Sequence, residues 1–144
     1  MPSIMRFISS TYRAAMLYRE HELEGTGLGP YQTPYLMALY NTQGISQEAL
    51  SKRLNLHKST VARQLSVLEK DGFVRREPDP DDRRQMLVFP TEKALGMEKR
   101  IRAILSSWSE DLLKDLTPEE ASALYSLMER ISQRASEIVK EHEL

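Results

Sequence analysis

The sequence has no cysteine. Disulfides, thiolate metal sites, cysteine nucleophiles and thiol-based redox sensing are therefore excluded, and a reducing, cytoplasmic setting suits such a chain. No apolar run approaches the ~18 residues that a membrane span needs. Phosphate-binding loops, GxSxG elbows and dinucleotide fingerprints are also missing, as are internal repeats and low-complexity segments. One absence is local. No Asp or Glu occurs from Ala49 to Leu68, although the whole chain carries a net charge of −1. The question is what an acid-free stretch of that kind is built to meet.

What is present is the composition of an ordinary globular chain: 144 residues, 40% hydrophobic and 28% charged. That length supports one compact domain with its own core. Charge is unevenly placed. Residues 109–144 hold four basic and nine acidic side chains, whereas residues 93–108 hold four basic and one acidic. A near-neutral sum thus leaves room for a positive surface, and binding to nucleic acid follows local charge. The start, "MPSIMRFISSTYRAAMLYR", is rich in arginine and hydroxyls and has no acid before Glu20, a transit-peptide composition. Ile4, Phe7, Ile8, Ala15 and Tyr18 fall at helical spacing, and the amphipathic-helix reading is preferred.

The predicted elements run as follows. A first helix covers about Ser3 to Leu23, and "GTGLGP" breaks it. A second begins at Pro30 or at Thr33-Pro34 and runs to about Asn41. Ser46 caps a short third helix with Ala49, Leu50 and Leu54 on its buried side, and Asn55 closes it. A fourth runs from about Lys58 to Lys70 and stops at Gly72. "FVRRE" and "QMLVF" read as two strands of a hairpin around "PDPDDRR". Thr91 caps a long fifth helix reaching about Asp115, with Met97, Ile101, Ile104, Leu105, Trp108 and Leu112 as its stripe. "TPEE" at Thr117 is a full helix-start signature for the last helix.

On a wheel of 100° per residue, Val61, Leu65 and Leu68 lie within about 60° of each other and form a core stripe. Ser59, Arg63, Ser66 and Lys70 point the other way, with Thr60 and Gln64 along one edge. That face is positive and can both donate and accept hydrogen bonds. It suits a groove lined by phosphate oxygens and base edges: Arg offers a fork to guanine, Gln to adenine, and Ser or Thr serve either. The dipole at the helix start favours anions as well. A short helix, a three-residue turn and this helix make a helix-turn-helix. The Arg-bearing hairpin after it is a wing, suited to the backbone or to a narrow minor groove.

Together, "ISQEALSKRLNLHKSTVARQLSVLEKDGFVRREPDPDDRRQMLVFPTEKA" resembles the MarR family of winged-helix regulators, over nearly the whole chain. The sharpest part is the wing pattern Asp-x-Arg, five residues, Leu-Thr, present as Asp82-Arg83-Arg84 followed by Pro90-Thr91. Proline replaces the leucine, which alters the strand end and not the wing tip. The resemblance implies a mainly α chain with a small β-hairpin wing (α+β), a winged helix-turn-helix over 31–91 inside a helical dimerisation frame, 1–30 and 92–144. It implies that the helix bearing Lys58, Ser59, Thr60, Arg63, Gln64 and Ser66 enters the major groove. Arg84, oriented by Asp82 and aided by Arg83, then serves the minor groove. It also implies a homodimer held by the first, fifth and sixth predicted helices, acting on double-stranded DNA as a repressor with no enzyme activity and no cofactor.

Tyr12, Met16, Tyr31 and Tyr35, with Met37 nearby, lie where the family binds small aromatic effectors; their spacing alone says core. Two rival readings remain open in the sequence. One is a winged-helix module for protein–protein assembly, against which the acid-free face argues. The other is a metal site at His21 and Glu24, but "HELEG" lacks the second histidine of HExxH, and no metal is expected.

Overall fold

The computed structural model describes residues 2–142, as two compact units: one up to Leu105 and one from Ser106. In the first unit, helix α1 (Ile4–Glu22) is followed by a 3-10 turn at Pro30–Gln32 and helix α2 (Thr33–Asn41). Both predicted starts of the second helix are thus used. Pro30 opens the 3-10 turn, and Thr33 is the first α-helical residue rather than its cap. Then come strand β1 (Ile45–Ser46), helices α3 (Gln47–Leu54) and α4 (Lys58–Lys70), and strands β2 (Val74–Pro78) and β3 (Met86–Pro90). Helix α5 (Glu92–Gly96) and α6 (Glu98–Leu113) follow, α6 running across the division between the units; α7 is Pro118–Glu141.

The sheet is antiparallel in the order β1-β3-β2. β2 and β3 pair from Val74↔Pro90 to Pro78↔Met86, and β1 adds Ile45↔Val88 and Ser46↔Leu87. The two-residue β1 is not foreseen from sequence. It clips the start of α3 to the root of the wing. The turn into it needs Gly44, which has φ +79°, and a Cβ there would meet the Phe89 ring at 3.0 Å.

Local chemistry sets the helix ends. Ser46 Oγ accepts from the Ala49 N–H at 3.1 Å, and Asn55 takes the left-handed conformation, φ 54°, that ends α3. Leu50 is buried as expected, but Ala49 is exposed and Ser51 takes the inner place, its Oγ donating to Glu48 O at 2.7 Å. Val61, Leu65 and Leu68 are fully buried, which fixes the rotation of α4 about its axis. They pack in one cluster with Leu36, Leu39, Leu50, Phe73 and Val88.

The fifth predicted helix is two helices. Gly96 and Met97 interrupt it, with Met97 N–H donating to Ala94 O at 3.0 Å in a tight turn. Glycine is a poor helix-interior residue, so the hitch falls there. In the second unit, the capping box at Thr117 and Glu120 forms as its signature predicts. Helix α7 has no buried residue, and Leu124, Leu127, Met128, Ile131 and Ile138 of its predicted stripe are all exposed. No helix among the described residues is long and apolar enough to cross a membrane.

Candidate nucleic-acid interface

The burial of Val61, Leu65 and Leu68 turns the opposite side of α4 to solvent. Lys58, Ser59 and Arg63 stand exposed there; Thr60 and Gln64 are half-buried along one edge. Val67 lies between them on the wheel and is 45% exposed, an apolar member of this face that the polar pattern had hidden. Among the described residues, Arg63 and Arg83 have no ion-pair partner.

The start of the helix is held in two ways. His57 is the N-cap: its Nδ1 accepts from the Ser59 N–H at 3.2 Å and lies 2.7 Å from Ser59 Oγ. Lys58 Nζ donates to Glu48 Oε1 at 3.1 Å, and Lys52 Nζ stands 3.9 Å from the same oxygen. The Lys58 hydrogen bond and charge, with Lys52, hold the Glu48 carboxyl below its usual range. The acid that pairs with Lys58 lies just outside the acid-free window of residues 49–68.

Ser66 is placed differently from the other polar residues of the helix. Its Oγ donates to Ala62 O at 3.0 Å and accepts from Arg76 Nη2 at 3.2 Å. Arg76 is the residue that sequence reasoning missed. The alternation of β2 carries the signal: Arg76 shares its strand face with buried Val74, so its charge must point toward the protein and find a partner there.

At the wing, Arg84 Nε donates to Asp82 Oδ1 at 3.0 Å and Arg84 Nη2 to Oδ2 at 3.4 Å; the Arg84 N–H also donates to Oδ1 at 3.2 Å. The arginine side chain is nonetheless 90% exposed. It is aimed without being buried. The side-chain and backbone bonds from Arg84 keep the Asp82 carboxyl ionised below its ordinary range. Gln47, Glu48, Lys58, Arg84, Gln85 and Met86 line a recess of about 220 Å³ where the wing root meets the starts of α3 and α4.

The four candidate effector residues line two neighbouring depressions, with Tyr12 and Tyr31 shared by both. Tyr12, Tyr31 and Tyr35 line a cleft of about 340 Å³ with Leu54, Leu56, Thr60 and Gln64, so this cleft reaches the edge of α4. Met16 lines a neighbouring depression with Tyr12 and Tyr31, whose rings are 6.4 Å apart. Met37 packs against the core. His21 and Glu24 have no third ligand: no group of three metal-binding side chains occurs among the described residues.

A helix free of acids from Lys58 to Leu68, presented beside an arginine-tipped hairpin, defines a winged helix-turn-helix protein. The sequence profile of the MarR family matches residues 29–86. The HTH-type transcriptional regulator YybA of Bacillus subtilis is 30% identical over 91% of this chain and 87% of its own length. A MarR transcriptional regulator of Methanosarcina mazei Go1 is 35% identical, covers 94% of this chain and 97% of its own, and superposes with a TM-score of 0.85. A MarR-family regulator of Listeria monocytogenes, solved with a 26mer DNA, is 25% identical, with coverage of 99% and 96% and a TM-score of 0.90. The chain belongs to the MarR family, a family of transcriptional regulators and not of enzymes.

Proposed function

We propose that the chain is a sequence-specific, double-stranded DNA-binding repressor that acts as a homodimer and is released by a small aromatic effector. The observation that carries the reading is the pairing, in one unit, of an exposed unpaired Arg63 on α4 with an exposed Arg84 held in place by Asp82. A helix of that kind fits the major groove, where Arg63 and Gln64 supply the donors and acceptors that distinguish base pairs. Lys58, Ser59 and Thr60 lie near its N-terminus, where the dipole favours phosphate. Arg84, with Arg83 beside it, fits the minor groove. Ser66 serves the interface through Arg76. The solved Listeria relative is complexed with a 26mer DNA, which supports DNA as the partner here.

Homodimerisation is proposed for 1–30 and 92–144, with 31–91 as the reading part. Ile4, Met5 and Phe7 on α1 and the stripe on α7 are apolar and exposed in the single chain. Burying such surface is worth ~25 cal/mol per Å², so a second copy is favoured. Two readers then meet a pseudo-palindrome with half-sites about one helical turn, ~10 bp, or a multiple apart. An effector in the tyrosine-lined cleft shifts the balance: a tenfold loss of operator affinity needs only ~1.4 kcal/mol of differential binding.

Selection of bound sequences from random duplex DNA tests the reading. The expected result is a two-fold related motif, bound more tightly at low salt. Folded protein that retains no duplex of any sequence at low ionic strength would rule it out in favour of a protein–protein assembly module.

A further inference from the structure

Arg76 makes more polar contacts than any other cation described above, and all of them are internal. Its backbone N–H donates to Glu69 Oε2 at 3.2 Å, and its Nε to the same oxygen at 3.4 Å. Nη2 donates to Glu69 Oε1 at 3.1 Å and to Ser66 Oγ at 3.2 Å; Nη1 donates to Gln47 Oε1 at 3.3 Å. The side chain is 18% exposed. Glu69 and Ser66 belong to the later turns of α4, Gln47 opens α3, and Arg76 itself sits mid-strand in β2, opposite Val88.

We infer that Arg76 is a positioning residue for DNA reading: it locks the wing to α4 and α3, and so sets where Arg84 reaches relative to the bases read by Arg63. The inference rests on the DNA-reading function proposed above. Three structural facts converge on it. A guanidinium offers donors in a rigid fork, so contacts in three directions fix orientation as well as distance. β1 clips only the root of the hairpin, at Val88 and Leu87, and beyond that root the two-stranded ribbon twists readily, so side-chain bonds from mid-strand to the helices restrict it further. Gln47, the acceptor on α3, also walls the recess that Arg84 and Lys58 line. Arg76 therefore reaches the element against which the wing's arginine side rests. Its ion pair keeps the Glu69 carboxyl below its usual range, mainly through the side-chain hydrogen bond. Helix α4 does not depend on Arg76 in the same way, since Val61, Leu65 and Leu68 seat it in the core.

The test is a double-mutant cycle on a duplex recovered by selection with the wild-type full-length chain. Affinities are measured for wild type, Arg76→Ala, Arg84→Ala and Arg63→Ala, and for Arg76→Ala combined with each of the other two. Arg84→Ala should cost about tenfold in the wild-type background. In the Arg76→Ala background it should cost less than about threefold, because an unlocked wing no longer holds Arg84 in its groove. Arg63→Ala should cost the same factor in both. Arg76→Lys, which keeps the charge and one contact but not the fork, should hold the unfolding midpoint near wild type and still blunt the Arg84→Ala effect. That variant also serves if Arg76→Ala fails to fold. Equal costs of Arg84→Ala in both backgrounds, or an equal blunting of Arg63→Ala, overturns the positioning role while leaving DNA reading intact. Wild-type protein that recovers no duplex overturns the reading itself, and this inference with it.

Discussion

Glu48 on α3 holds Lys58, the first residue of the reading helix, at 3.1 Å. An acid therefore stands beside the helix start, where the proposed function brings a phosphate. Glu48→Gln should release Lys58, tighten duplex binding and steepen the dependence of affinity on salt by ~0.9 per phosphate gained. Stability should barely change, because solvent screens an ion pair between two surface side chains. Anisotropy titrations across a salt series provide the check, and an unaltered slope would show that Lys58 touches no phosphate.

Asp82 aims Arg84 without covering it. Asp82→Ala should leave unfolding almost untouched and weaken binding several-fold, approaching the loss expected for Arg84→Ala. Because the carboxyl is held below its ordinary 3.8, the arrangement is present above that value and is lost only as pH falls through the depressed one. The difference in affinity between wild type and Asp82→Ala should thus stay constant from pH ~7 to ~5. A difference that vanished within that range would contradict the assignment.

His57 caps α4 with a ring nitrogen, an acceptor less usual in that position than a hydroxyl or amide. His57→Ala should cost ~1 kcal/mol of stability, and His57→Asn should restore most of it. Urea unfolding of the two variants checks this. Equal midpoints for wild type and His57→Ala would mean that the bond at 3.2 Å contributes nothing.

Tyr40 Oη donates to Ala94 O at 2.6 Å, joining α2 to α5 across 54 residues of chain. Burial, reinforced by Glu98, pushes its phenol from 10 up to about 12. A raised pKa in the folded state contributes stability that is whole below the unfolded value and is lost as pH climbs through the folded one. The window is therefore pH 10 to about 12. Tyr40→Phe should lower stability at neutral pH by ~0.5–1.5 kcal/mol and flatten the alkaline fall. Denaturant titrations at a series of alkaline pH values would expose a mutant that keeps the wild-type decline.

What could be read from the sequence was what short-range chemistry decides. Ser46, Asn55, Thr91 and the Thr117–Glu120 box mark ends whose hydrogen bonds close within three or four residues. The core side of α4 followed from Val61, Leu65 and Leu68 alone, and the Asp82–Arg84 arrangement spans only two residues. Features that depend on distant partners stayed hidden. A two-residue strand such as β1 has no period to detect; it exists because β3 is there to pair with. Lys58 finds Glu48 ten residues back, and Arg76 reaches Gln47 twenty-nine back. Ser51 displaces Ala49 from the inner side of α3 because its hydroxyl is satisfied within its own turn, which hydrophobicity alone does not register.

Thr60 and Gln64 belong to the edge of the reading helix and also to the wall of the tyrosine-lined cleft. On the function proposed above, one pair of side chains would border both the DNA-reading edge and the effector cleft, so address and signal would not be separable traits. A substitution at Thr60 or Gln64 that lets the cleft accept a new molecule is then expected to alter which promoters are visited as well.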